Sequence, residues 1–306
     1  MCLSRWLVGC ETSINLPITV SAHPWPGYEF MFLAEREQWL DNSLVTLVET
    51  ASATESLELL RADKVDGAAL TLDEVLTARA SGLSMTTVMI FNISAGADML
   101  LSRSGIFALA DLKGRRVGVE QGAVGSLMLS KALDSVGLTI ADIQLIPLTI
   151  DRHFETWQRN EIDALVTFEP VAGRLLDEGA VKLFDSRQIP DTIFDVLAFN
   201  TERLDFRHAH SIRHLIDANF RALEHLSKNP QDAAYRMAPR LNLPPSKVLG
   251  TFKGLLLPDR TNNRRLIGSA SPVLLDSARE LSRFMFESGR LSREDDLNGL
   301  IDGRYL

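Results

Sequence analysis

Short apolar runs and helix-patterned segments take turns along most of this chain, and that alternation narrows the fold more than any other feature. "LPITVSA", "LVTLVET" and "DGAALTL" read as strands. Helical patterns separate them, over 28–40, around 56–64, and in "DEVLTARASG" with Gly82 as its stop. "MTTVMIFNI" and "ADMLLSR" then follow as two successive strands, and the pattern restarts at "RRVGVE". A helix over 123–136 places Leu129, Ala132, Leu133 and Val136 at i, i+3, i+4 and i+7, and Gly137 ends it. "IQLIPL", "DALVTF" and "IFDVLAFN" are further strands, with helices at 152–160 and "VAGRLLDEG" between them. After about Asn200 the chain turns helical. Ile212, Leu215, Ile216, Leu223 and Leu226 mark one amphipathic helix, and Leu274, Ala278, Leu281 and Met285 another. Alternating β and α elements imply a mostly parallel sheet. Two such blocks with a helical tail predict an α/β protein of two lobes.

An internal echo supports two lobes. "VDGAALTLDEV" from Val65 resembles "IDALVTFEPV" from Ile162, with a one-residue gap. Thr71 then corresponds to Thr167, Leu72 to Phe168, and Asp73 to Glu169. Each acid falls at the C-terminal end of a strand, where open α/β sheets bind their ligands. Both acids also suit helix N-caps, and Pro170 suits the start of a helix.

Composition excludes several functions. The chain has 306 residues with a net charge of −8 and no basic run, which argues against nucleic acid as a partner. Its two cysteines, Cys2 and Cys10, stand at the N-terminus, so residues 11–306 can form neither an internal disulfide nor a thiolate or Cys-zinc site. No apolar run approaches the roughly 20 residues that span a membrane. "LVGC", ending at Cys10, resembles a lipobox, although only nine residues precede the cysteine. It reads either as a lipidation site or as an accidental match.

The stretch "VGVEQGAVGS" forms a strand, a glycine turn and the start of a helix. Gly118, Gly122 and Gly125 are spaced G-x-x-x-G-x-x-G, which is neither a dinucleotide fingerprint nor a P-loop, and no Lys-Ser/Thr follows. The turn is either close packing or a place where backbone N–H groups meet a ligand. Glu120 at its mouth is either a charge tied to the helix N-terminus or a carboxylate facing a ligand. His210 and His214 stand i, i+4 near His208, but without H-E-x-x-H they read as a solvated helix face. No nucleophile–base pair, metal quartet or cofactor motif is visible, so the expectation is a binder without cofactor.

The ordered motifs "WPGYEFMFLAE", "DGAALTLDEVLTARASG", "SAGADMLLSRSGIFALADLKGRRVGVEQGAVGS", "GLTIADIQLIPL" and "EIDALVTFEP" resemble the type II periplasmic substrate-binding proteins of ABC importers. Within them the chain is similar to the nitrate, sulfonate, taurine and thiamine-precursor group. The resemblance implies a two-lobed periplasmic-binding-protein type II fold, each lobe a mostly parallel sheet flanked by helices, with ligand in the cleft. It assigns 1–12 to a leader remnant or lipoprotein linker, 13–101 and 200–306 to lobe I, and 102–199 to lobe II. "ADMLLSR" and "FDVLAFN" would lie at or near the crossovers. It also implies a monomer at the cell surface or in the periplasm, with a small-molecule ligand and a membrane permease and ATPase as partners.

On this resemblance Trp25 and Tyr28 would stack on the ligand. Thr71, Asp73, Ser94, Gly96, Asp98, Glu120, Gly122, Ala123, Ser126, Glu169 and Asp195 are the remaining candidates for the cleft. Asp98 and Asp195 equally suit braces of the crossover backbone. Aromatic faces with several acids would hold an ammonium or an NH-rich group, because carboxylates buried without a cation are costly. The expected ligand is therefore an amine or amino-pyrimidine. The alternatives are an anion such as sulfonate or nitrate, a receptor-coupled sensor, and a thiamine-pyrimidine synthase-like enzyme.

Overall fold

A computed structural model describes residues 15–269 and 272–306. The lipobox cysteine Cys10 and the leader reading of 1–12 lie outside the described residues. One sheet holds β1 (Ile18–Ala22), β2 (Val45–Glu49), β3 (Gly67–Thr71), β4 (Met85–Ser94), β10 (Phe194–Asn200) and β11 (Leu255–Leu256), in the order β11-β4-β10-β3-β1-β2. The other holds β5 (Asp98–Ser102), β6 (Arg116–Val119), β7 (Gln144–Pro147), β8 (Ala164–Phe168) and β9 (Val181–Asp185), in the order β7-β6-β8-β5-β9. β1 runs parallel to β2 and β3, as β6 does to β7 and β8. β10 and β5 are antiparallel to β3 and β8. Each sheet is therefore mixed around a parallel trio.

Both faces of each sheet are buried, which is why the strands read as near-continuous apolar runs. Side chains alternate between the faces. In β3, Ala69 joins the core beneath α1 (Glu29–Arg36), α7 (Ala209–Lys228) and α8 (Pro230–Met237), while Ala68 and Leu70 face α2 (Ala53–Arg61), α3 (Leu72–Ala80) and α11 (Val273–Glu287). In β5, Leu100 meets α4 (Val124–Asp134), and Leu101 meets α5 (Ile150–Gln158) and α6 (Val171–Asp177). The tail adds α9 (Pro245–Thr251) and α10 (Arg260–Ile267) to the first sheet's side.

The echo has a structural counterpart. β3 lies between β1 and β10, and β8 lies between β6 and β5 in the same relative directions. Each then opens a helix, α3 or α6. The chain changes sheets between Ser94 and Asp98 and returns between Asp185 and Phe194. The expected boundaries at 101/102 and 199/200 thus shift: β5 already belongs to the second sheet, and β10 is back in the first. The crossings occupy the unpaired stretches "AGA" and "SRQIPDTI" rather than the strands beside them. β9 is a part-exposed edge strand, and the sequence reading assigned no element there, between the helix "VAGRLLDEG" and the strand "IFDVLAFN".

Candidate functional site

The parallel strands β1 and β3, and β6 and β8, end toward one another across a narrow cavity between the sheets. The cavity has room for about one water. The wall carries His23, Trp25, Tyr28, Thr71, Glu74 and Asp195 from the first sheet's side, and Asp98, Glu120, Ala123, His153 and Phe168 from the second's. Ala53, Val124, Gly125 and Val166 complete it.

Local structure explains most of these positions. His23 follows β1 and Glu120 follows β6, at equivalent sheet positions. Asp195 pairs across from Thr71, and Asp98 across from Phe168. The turn before α1 is tight: a Cβ on Gly27 would lie 1.8 Å from Asn92 Oδ1. That closeness lets Trp25 Nε1–H donate to Asn92 Oδ1 at 3.0 Å. Asn92 Nδ2–H in turn donates to Asp195 Oδ2 at 2.6 Å, and Tyr28 Oη–H donates to Asp195 Oδ1 at 2.6 Å. Phe168 stands edge-on to Trp25 at 5.2 Å between ring centres.

Four buried carboxyls meet here with no Lys or Arg on the wall among the described residues. Burial, joined by the charge of Asp73, pushes Asp98 up to about 7. Its Oδ2 is buried without a hydrogen-bond partner. Burial and then the charge of Asp98 hold Asp195 well above the carboxylate range. Glu74 is raised by burial and by Asp73, and Glu120 by burial. His23 is lowered to about 3 by burial and by Arg240, and His153 to about 4 by burial. Both imidazoles are therefore neutral, and His153 Nδ1 lies 3.1 Å from Thr167 Oγ1.

Of the residues singled out from sequence, Trp25, Tyr28, Thr71, Asp98, Glu120, Ala123 and Asp195 stand on this wall. The others have different surroundings. Asp73 faces Arg290 at 4.0 Å. Ser94 Oγ and Gly96 N–H both meet Ser186 Oγ, at 2.8 and 2.6 Å, and so brace the first crossing. Gly122 supplies a positive φ of 80° to the turn. Ser126 Oγ–H donates to the Glu120 carbonyl at 3.1 Å, and Glu169 accepts the Gly173 N–H at 3.1 Å, inside its own helix turn. Outside the cavity, His214 Nε2 accepts the Asp41 N–H at 2.8 Å and His208 contacts Asp205.

His23, Glu74, His153 and Phe168 were not picked out from sequence. Glu74 had a signal in "TLDE", a capping-box pattern. It accepts the Thr71 N–H at 2.8 Å through one oxygen and turns the other to the cleft. His23 had only its place after a strand, and nothing in sequence marks His153.

The architecture is that of the type II periplasmic binding proteins. The alkanesulfonate-binding protein SsuA of Xanthomonas axonopodis pv. citri, solved with MOPS, aligns with a TM-score of 0.78 at 17% identity over 94% of this chain and 98% of that one. SsuA of Escherichia coli, a periplasmic aliphatic sulphonate binding protein, gives 0.74 at 20% over 93% and 97%. The desulfurization enzyme DSZB gives 0.67 at 18% over 94% and 97%, so this fold also hosts an enzyme. Among curated sequences, a provisionally named aliphatic sulfonates-binding protein of Escherichia coli (strain K12) is 28% identical over 159 residues, 50% of either chain. A provisionally named binding protein of Brucella abortus (strain 2308) is 24% identical over 149 residues, 48% of this chain and 47% of that protein. The chain thus spans about half the length of the curated relatives it matches. Residues 36–233 match the profile of the family described as NMT1/THI5 like, well over half the chain, and the protein belongs to that family.

Proposed function

We propose that this protein is the solute-binding component of an ABC importer, working in the periplasm or at the cell surface. It captures a small nitrogen-containing solute, an amine or amino-pyrimidine, between its lobes and delivers it to a membrane permease. The binding proteins among its relatives support the general role. Among the described residues no helix is long and apolar enough to cross a membrane.

One observation carries the solute class: among the described residues the cavity gathers four buried carboxyls and no cation, and Asp98 Oδ2 has no partner. A buried acceptor of this kind costs energy until a donor reaches it. Asp98 is raised to about 7, and burial raises Asp195 and Glu74 well above their ordinary values, so these carboxyls hold a proton more readily than free ones, and a protonated carboxyl donates. A heterocycle with ring nitrogens and an exocyclic amine offers both an acceptor and N–H donors to such a wall. The rings of Trp25, Tyr28 and Phe168 supply flat apolar surface. Solute contacting both lobes favours the closed form, since only differential contacts shift that equilibrium.

The second reading is an anion binder, favoured by the name of the Escherichia coli relative. Titration calorimetry with aminopyrimidines, primary amines and alkanesulfonates separates the two. Heat from an amine or aminopyrimidine alone is the expected result, and heat from sulfonates alone overturns the solute assignment. Turnover of a bound compound would overturn the binder reading. Residues 11–306 hold no cysteine, so no thiolate nucleophile is available there.

A further inference from the structure

Glu120 does not simply face the cavity. Its Oε1 accepts the Thr54 N–H at 3.1 Å and the Thr54 Oγ1–H at 2.6 Å, and its Oε2 accepts the Ile150 N–H at 3.2 Å. Thr54 is the second residue of α2, on the first sheet's side, and Ile150 is the first residue of α5, on the second's. One carboxylate, 4% exposed, therefore ties together two helix N-termini from opposite lobes. Glu74 reaches the other way, its Oε1 accepting the Val124 N–H that opens α4, at 3.4 Å. Such N–H groups are the usual receptors of sulfonate, phosphate or carboxylate groups. Three of the roughly four lone-pair positions of Glu120 are already spent on them.

We propose that Glu120 is the specificity-determining residue of this cavity. Its carboxylate stands where an anionic solute group would bridge the lobes, so the chain carries its own bridging anion. It bars oxyanions from that corner and holds the empty lobes together around room for about one water; a donor-rich solute enters when they part and meets the rest of the wall. The inference rests on the solute-binding reading above and adds which residue turns an anion-ready turn into a cation-selective one.

Small-angle scattering and calorimetry on the full chain test it, with methanesulfonate and acetate as probes. Wild type is expected to scatter as the closed form and to give no heat with methanesulfonate. Glu120→Ala should open, should close again on adding acetate, and should bind methanesulfonate at least about tenfold more tightly than wild type. Glu120→Gln keeps the shape and one acceptor but turns a donor toward Ile150, so it should be partly open. It carries the comparison if Glu120→Ala does not fold. Variants as compact as wild type and indifferent to acetate overturn the proposal. Should wild type bind an aminopyrimidine while the variants behave so, only the latch falls. Should wild type bind methanesulfonate and no nitrogenous probe, the solute reading falls first.

Discussion

The proton on Asp98 links the cavity to pH in two measurable ways. The folded state raises this carboxyl to about 7, against about 4 in the unfolded chain, with Asp195 and Asp73 nearby and no cation on the cavity wall. The folded state therefore binds the proton more tightly. That contribution to stability is full below about pH 4 and is lost as pH rises through about 7. His23 and His153 act with the opposite sign. Lowered to about 3 and about 4, they contribute above about pH 6.5 and are lost as pH falls through those values. Asp98→Asn should then melt higher than wild type at alkaline pH and show a flatter melting profile across neutrality, read by scanning calorimetry. A cationic solute must displace the same proton, so its affinity should fall up to about tenfold per pH unit below 7 in wild type and much less in Asp98→Asn. Tyr28→Phe removes the donor to Asp195 Oδ1 and should cost about 1–3 kcal/mol in urea unfolding. At this scale the sequence was partly legible. Its strand end pointed to Glu120, and the family resemblance to Asp98, Asp195 and the aromatic pair Trp25 and Tyr28. Asp73 was indistinguishable from Glu74, although one step along a helix turns a side chain by about 100° and decides which of them meets the cleft.

Elements were more legible than side chains, because short apolar runs and helical periods need no tertiary knowledge. The echo between β3–α3 and β8–α6 corresponds to matching places in the two sheets. What period cannot show is which sheet a strand joins, and so β5 and β10 were assigned to the wrong sides of their crossings. The first crossing is held from behind by Gly254, whose carbonyl accepts the Ala95 N–H at 2.7 Å. Gly254 has φ +86°, and a Cβ there would lie 2.7 Å from the Gly96 carbonyl carbon. Gly254→Ala should cost more than about 1 kcal/mol, from positive-φ strain plus backbone displacement. Gly250→Ala, in α9 with nothing within 4 Å of the new methyl, should instead gain about 0.5–1 kcal/mol. Paired urea titrations of the two variants check both signs.

Across the whole molecule, closure draws on more than the cavity. Leu127 of α4, on the second sheet's side, is fully buried and belongs to the first lobe's apolar core. Lys131, one turn on, lies 3.5 Å from the centre of the Phe284 ring. Leu127→Ala should shift the population toward the open form, seen as a larger radius of gyration with unchanged far-UV dichroism. The loss of a buried leucine, about 2–5 kcal/mol in a rigid core, bounds the shift from above. The two-lobed plan was legible because the β/α pattern runs as two blocks that echo each other. The closed cleft was not, because it depends on Glu120, Glu74 and Leu127 meeting partners far away in sequence. The placement of β10 between β3 and β4 carries a further consequence, for the order in which the molecule is made. The second sheet is drawn from one continuous stretch, 98–185, whereas the first lacks its central strand until residues 194–200 have been synthesised. A growing chain can therefore complete the second sheet while the first still exposes the unpaired edges of β3 and β4. Inserting β10 closes long loops back to β3 and β4, at an entropic cost that slows folding. That interval, rather than the finished protein, is when this sequence is most open to capture by a chaperone or by another strand.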